Sequence, residues 1–219
     1  MKNLLIKILV LCGLVTIGNA DIVEDEVKSF IDLNKCNKVT EVVYSVCWNN
    51  DLRIPESGWT VIKGSKIDSQ NIKARPNFYK DNGYNTISPE QIQMPNERGH
   101  TFANDSDNDY DIDILKSTYN MINITPMHEA INVGAWRKVE NRGKVLARKL
   151  EDVISITLVE YFDTPKYNMD TLYPKSYTRI YITEDDDECY RVYNDGKPSL
   201  KLENYKIDCK KLLIKNLEK

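Results

Sequence analysis

His100 and His128 are the only histidines in this 219-residue chain, and His100 closes the run Asn96-Glu97-Arg98-Gly99-His100. An imidazole titrates near neutrality, so one held beside a water can take its proton at working pH. Gly99 lets the backbone turn tightly next to the Arg98 cation. Thirty-two residues on, Asn132, Trp136 and Glu140 recur at four-residue steps. That spacing puts an amide, an indole and a carboxylate on one face of a helix. A base, an amide oxygen and a carboxylate are the parts of a metal-assisted hydrolase. A lone histidine is more often structural; the second cluster is what lifts His100 above that reading.

Three further stretches carry charge that could serve such a site. Arg75 precedes Pro76, which pushes it out of a helical conformation, so an extended arginine on a loop ahead of the histidine can reach an anion. From Asn104 to Asp113 acids stand at nearly every second position, like the opening of a calcium loop. The match fails, because Tyr110 stands where that loop needs glycine and Lys116 where it needs glutamate; an acid-rich solvated loop is expected instead. Arg137, Lys138, Arg142, Lys144, Arg148 and Lys149 make the next helix the most basic stretch, a candidate track for phosphates.

The elements that must position these residues follow from pattern. Val42–Trp48 is rich in β-branched and aromatic residues and reads as a strand, with a shorter one at 59–63 closed by Gly64-Ser65. Residues 65–93 read as irregular, and 119–126 as a short buried extended segment. Ile131, Ala135, Val139, Leu146 and Leu150 form an apolar helical stripe from about His128 to Leu150, weakened by Gly134 and Gly143. Strands follow at 153–162 and 177–183, then an acidic turn and a hairpin partner at 189–193. Residues 200–219 read as a terminal helix, and 21–30 as either a helix or a lead-in. Strands on both sides of a central helix imply one α+β domain.

Met1 to Ala20 has a basic start, a short apolar core and a Gly18-Asn19-Ala20 cleavage site, the pattern of a secretory signal peptide. The mature chain is then residues 21–219. Removing Lys2 and Lys7 leaves 28 basic against 33 acidic residues, a net charge of −5. That excludes a whole-surface attraction to nucleic acid but not a local one. Four cysteines remain, Cys36, Cys47, Cys189 and Cys209, and an even count in an exported chain suggests two disulfides. Of three possible pairings, local closure (Cys36–Cys47 and Cys189–Cys209) is preferred. A zinc site is the rival, against which stand the spacing and the scarcity of histidine.

Glu97-Arg98-Gly99-His100, then Asn123-Ile124-Thr125-Pro126, then Asn132-Val133-Gly134-Ala135-Trp136 and Glu140, together resemble the DNA/RNA non-specific endonucleases of the ββα-metal (His-Me finger) group. The resemblance covers roughly Tyr44 to Asn194. It implies a single domain with a central, mostly antiparallel sheet and a ββα-metal motif. It implies endonucleolytic hydrolysis of DNA, and by extension of RNA, without sequence specificity, leaving 5′-phosphate ends; the leader and the disulfides place it in the periplasm or outside the cell. It assigns His100 as general base, Asn132 as the one direct ligand of Mg²⁺ (or Mn²⁺), and Glu140 as the group that orients the ion's waters. Arg98 and Arg75 contact phosphate oxygens, and Asn123 holds either the site's backbone or a metal water. The family's usual aspartate is here Glu97, and its usual Ala-Pro after the histidine is absent. A catalytically weakened nucleic-acid-binding protein on the same scaffold is the alternative; a two-carboxylate glycosidase is a weaker one. The chain specifies neither an inhibitor partner nor an oligomeric state.

Overall fold

A computed structural model describes residues 18–69, 72–184 and 186–213. Its centre is a seven-stranded antiparallel sheet in the order β1-β2-β3-β6-β9-β10-β11. The strands are β1 (Lys38–Thr40), β2 (Tyr44–Asn49), β3 (Ile54–Lys63), β6 (Asp152–Tyr161), β9 (Pro174–Ile182), β10 (Glu188–Tyr193) and β11 (Lys206–Ile207). Register aligns Thr40, Ser45, Trp59, Ile156, Ile180, Cys189 and Ile207 in one row across all seven strands. Side chains alternate between faces, so this row belongs to one side of the sheet.

On that side Trp59, Ile156, Ile180 and Cys189 pack against Val27, Phe30 and Ile31. Val27 ends helix α1 (Gly18–Val27), which resolves the undecided 21–30 stretch as helical at its start. The other side carries Ile62, Val153, Tyr177, Tyr181, Tyr190 and Val192, and it packs against Ile131, Ala135, Trp136, Val139, Leu146 and Ala147. A sheet covered on both faces needs apolar residues at almost every position, which is why β9 is buried nearly throughout.

Three further helices and two small sheets stand among the described residues. Helix α2 (Gly64–Ile67) is one turn, α3 is Ile112–Thr118, and α4 is Arg137–Leu150, entered through a π-helical segment at Ile131–Trp136. The apolar stripe from Ile131 to Leu146 is buried, as the periodicity requires. β4 (Asn96–His100) pairs antiparallel with β5 (Ile124–His128), so the order β4, β5, α4 is a ββα unit. A short hairpin joins β7 (Tyr167–Asn168) to β8 (Thr171–Leu172).

Several expectations are corrected. β3 starts at Ile54, well before residue 59: opposite Cys47 and Trp48 it carries one extra residue, Glu56, and this bulge accommodates Pro55. The tail is no regular helix: two short 3₁₀ turns flank β11, which docks on β10. Residues 214–219 lie outside the described residues. The acid-rich loop is not solvated: Asn104, Asp107, Asn108 and Asp109 are buried. Of the six basic residues of α4, three are in ion pairs, Arg142 with Glu188, Lys144 with Asp107 and Arg148 with Asp68, so only part of that face is open to phosphate.

Cys36–Cys47 and Cys189–Cys209 are disulfide-bonded, the locally closed pairing. Most of the leader, residues 1–17, lies outside the described residues. Among those described, no helix is long and apolar enough to cross a membrane.

Candidate active site

The site is built on β4. Alternation along this strand sends Arg98 and His100 to one side and Glu97 and Gly99 to the other. Gly99 faces Thr125, and a Cβ there would lie 2.7 Å from Met127 Cβ, so only glycine lets β4 and β5 close over Met127. Three side chains from other elements then fix the chain leaving His100. Trp136 Nε1 donates to the His100 carbonyl at 2.9 Å. Asn123 accepts from the backbone N–H groups of Phe102 and Ala103 and donates to the carbonyls of Ala103 and Thr118. Arg179 on β9 donates to the carbonyls of Thr101 and Phe102.

The His100 ring meets Tyr119 edge-on at 4.9 Å between centroids and Phe78 at 5.6 Å. The Arg98 guanidinium lies 5.1 Å over the same Phe78 ring and donates to the Pro89 carbonyl. His100 Nε2 is buried with no hydrogen-bond partner among the described residues. Burial lowers the imidazole's pKa; Asp105 opposes that and Arg75 adds to it. The ring is therefore neutral at neutral pH and can accept a proton.

Arg75 reaches the same place from its loop, with Nε 3.6 Å from Asp105 and an Nη 3.2 Å from Asp109. Asp105 also accepts from the Tyr119 hydroxyl at 2.9 Å. Asp105 thus joins the arginine to the wall of the imidazole.

Asn132 stands in the π-helical segment, where the Arg137 N–H reaches back to the Asn132 carbonyl. Such widened turns are frequent at functional sites. The Asn132 amide donates to Glu97 Oε2 at 2.8 Å. A carboxylate can only accept, so the amide nitrogen is spent on Glu97 and the carbonyl oxygen is left to bind something else. No contact among the described residues joins Asn132 directly to His100 or Glu140. They are related through β4, whose Glu97 holds the amide and whose His100 carbonyl takes the Trp136 indole.

Glu140 is 9% exposed and receives no hydrogen bond from any described residue. Burial pushes its carboxyl up to about 8, with Arg179 and Lys144 opposing and Asp107 and Asp105 reinforcing. Asp107 is pushed up to about 6, again by burial and against the pull of Lys144. Lys144, one turn beyond Glu140, holds Asp107 at 3.2 Å and also bonds Ser106.

Among the described residues no three His, Cys, Asp or Glu side chains are placed to hold a metal. A hard divalent cation that keeps most of its waters takes as little as one neutral oxygen from a protein, and the free carbonyl oxygen of Asn132 could supply it.

Asp105, Asp107 and Asp109, expected in a solvated loop, and Lys144, expected on a phosphate track, instead stand together beside the site, and Arg179 was not expected there at all. For Arg179 a signal existed: it sits between Tyr177 and Tyr181 in a strand whose two faces are both apolar, a place where a charge needs a reason.

Comparison with known proteins bears on the whole arrangement. A family model described as DNA/RNA non-specific endonuclease matches residues 28–215. Among solved structures, the crystal structure of an EndoG/EndoGI complex, a study of EndoG inhibition, matches with a TM-score of 0.66. The identity is 15%, over 81% of this chain and 82% of that one, and at that identity the likeness speaks for the fold. A comparison with curated proteins finds no match.

Proposed function

The chain belongs to the DNA/RNA non-specific endonuclease family, and from that premise we propose an exported enzyme that hydrolyses DNA and RNA by a single-metal, histidine-base route. The observation that carries this reading is His100. Its imidazole is kept neutral by burial, stands beside Asp105 and Arg75, and is tied through its own carbonyl to Trp136 of the helix that carries Asn132.

In this reading the ion, Mg²⁺ or Mn²⁺, is held by the Asn132 carbonyl oxygen, and when bound it supplies positive charge to the phosphoryl oxygens. Glu97 fixes the amide so that its oxygen points away from the strand. Glu140 is the carboxylate that can accept hydrogen bonds from the ion's waters. Arg98 and Arg75 bind phosphate oxygens, for which a planar guanidinium is well shaped. Arg75 must exchange its Asp105 and Asp109 partners for phosphate, and that exchange makes binding sensitive to salt.

His100 takes the proton of the attacking water. With Nε2 buried, Nδ1 is the nitrogen left to meet it. The new P–O bond forms as the bond to O3′ breaks on the opposite side; O3′ takes a proton from solvent and His100 releases its own to solvent, leaving a 5′-phosphate and a 3′-hydroxyl. Asn123 has all its side-chain groups on backbone partners, which favours its role as a brace over contact with a water.

Glu97 in place of aspartate is the departure that could have marked a dead centre. Its bond to Asn132 favours a working one. Two disulfides favour an oxidising compartment and hence export, with a leader ending near Ala20. The test is digestion of plasmid and total RNA with Mg²⁺ or EDTA, followed by end analysis. Products that a polynucleotide kinase labels only after phosphatase treatment are expected. Cleavage unaffected by EDTA, or products with free 5′-hydroxyls, would overturn the reading.

A further inference from the structure

Arg179 is 2% exposed and has no carboxylate within ion-pair distance among the described residues. Its Nη1 donates to Phe102 O at 3.1 Å and to Ser155 Oγ at 2.7 Å, its Nη2 donates to Thr101 O at 3.0 Å, and its Nε is left without a partner. The guanidinium carbon lies 4.6 Å over the Trp136 ring, the same indole that holds the His100 carbonyl.

Burying a cation without a hydrogen-bonded counter-charge is costly. Backbone carbonyls alone do not call for one, since the neutral Asn123 braces the adjoining residues with amide groups. The charge therefore has another use. The carboxylates whose ionised form its charge favours are Glu140 on α4 and Asp107 on the loop after β4, and Lys144 is the other cation that acts on both.

We propose that Arg179 is a positioning residue of the nuclease reaction. It clamps the two carbonyls that follow His100, backs the indole that holds the third, and lays a fixed positive charge beneath the Glu140 side of the site. It touches neither substrate nor reacting water. The clamp is set from β9, an inner strand of the large sheet that pairs with β6 and β10, so the imidazole is referenced to the interior of the sheet. A base displaced by an ångström loses on the order of a hundredfold in rate, and this is the displacement that the clamp prevents.

This inference rests on His100 as base, and the experiment separates the two. Arg179→Gln, Arg179→Lys, His100→Ala and the double variant Arg179→Gln/His100→Ala are assayed as full chains with Mg²⁺, each with its unfolding midpoint. Arg179→Gln is expected to lower kcat by roughly tenfold to a hundredfold with KM changed less than about threefold. It is also expected to move the acid limb of the kcat–pH profile to higher pH, because the lost charge no longer favours the ionised form of Glu140. Arg179→Lys keeps the charge, so it restores that limb while kcat stays low. In the His100→Ala background the glutamine substitution adds little further loss.

A folded Arg179→Gln protein with wild-type kcat and pH profile overturns the positioning role. So does a loss of activity that matches the unfolded fraction in both single variants. If Arg179→Gln does not fold, Arg179→Lys decides alone: an unmoved kcat refutes the clamp. Full activity in His100→Ala would instead remove the reading on which the inference rests.

Discussion

Replacing Glu140 by glutamine should make the metal-free protein more stable at alkaline pH while removing its activity. Burial pushes the Glu140 carboxyl up to about 8 from an ordinary value of 4.5. The unfolded chain restores the ordinary value. Because the folded value is the raised one, the contribution to stability is complete below about 4.5 and is lost as pH rises through about 8. A separation of about 3.5 pH units at about 1.4 kcal/mol each gives about 5 kcal/mol. Glutamine has no proton to lose. Between pH 4.5 and 8.5 the stability difference should therefore move by about 4 kcal/mol of that in favour of Glu140→Gln. Asp107, also raised, is present in both proteins and largely cancels. The assay is urea unfolding in EDTA at half-unit steps of pH, with the m-value checked for constancy. Activity with Mg²⁺ should fall at least about a hundredfold in the same variant. Parallel stability curves for the two proteins would refute the idea that Glu140 holds a proton in the folded, metal-free state.

Glu97→Gln should let the Asn132 amide turn, and the Mg²⁺ concentration for half-maximal activity should rise by about tenfold or more at unchanged unfolding midpoint; an unchanged metal requirement would contradict the Glu97–Asn132 argument. Gly143→Ala should destabilise the protein, although helix propensity alone promises a gain of about 1 kcal/mol. A Cβ at Gly143 would lie 2.8 Å from Ile62 Cδ1 and from the Tyr181 ring, and overpacking of that kind costs about 1–3 kcal/mol; a raised unfolding temperature would show that the core yields there. Reduction of Cys36–Cys47 and Cys189–Cys209, which are 11 and 20 residues apart, should cost about 3 kcal/mol each, read as a lower urea midpoint in dithiothreitol.

What could be read from the residues was mostly local. The stripe from Ile131 to Leu146 is a 3.6-residue period, and it is buried as such. The strands with dense β-branched and aromatic residues are strands. The cysteine pairs close short loops, so their pairing needed no knowledge of the fold. The long-range facts were not legible. Alternating acids at 105–109 look like a solvated loop until Arg75 and Lys144, about 30 and 40 residues away in the chain, are found beside them. The π-helical segment leaves no trace in the period, because one added residue in a turn displaces the stripe by less than its own width. The tail has leucines and lysines enough for a helix, but its Cys209 is bonded to β10 and Ile207 pairs with Cys189, so tertiary contacts override propensity. Glu97 looked like a possible lesion in a motif; only the bond to Asn132 gives it a use.

The central claim is that His100 is the base of a metal-dependent nuclease. The most direct measurement is the rate of plasmid and RNA cleavage by the purified protein and by His100→Ala, each with Mg²⁺ and with EDTA, and with circular dichroism to confirm folding. Cleavage of both substrates that needs metal and is lost in the folded His100→Ala protein is predicted. A folded wild-type protein that cleaves neither substrate with Mg²⁺ or Mn²⁺, or a His100→Ala variant that cleaves at the wild-type rate, would contradict it.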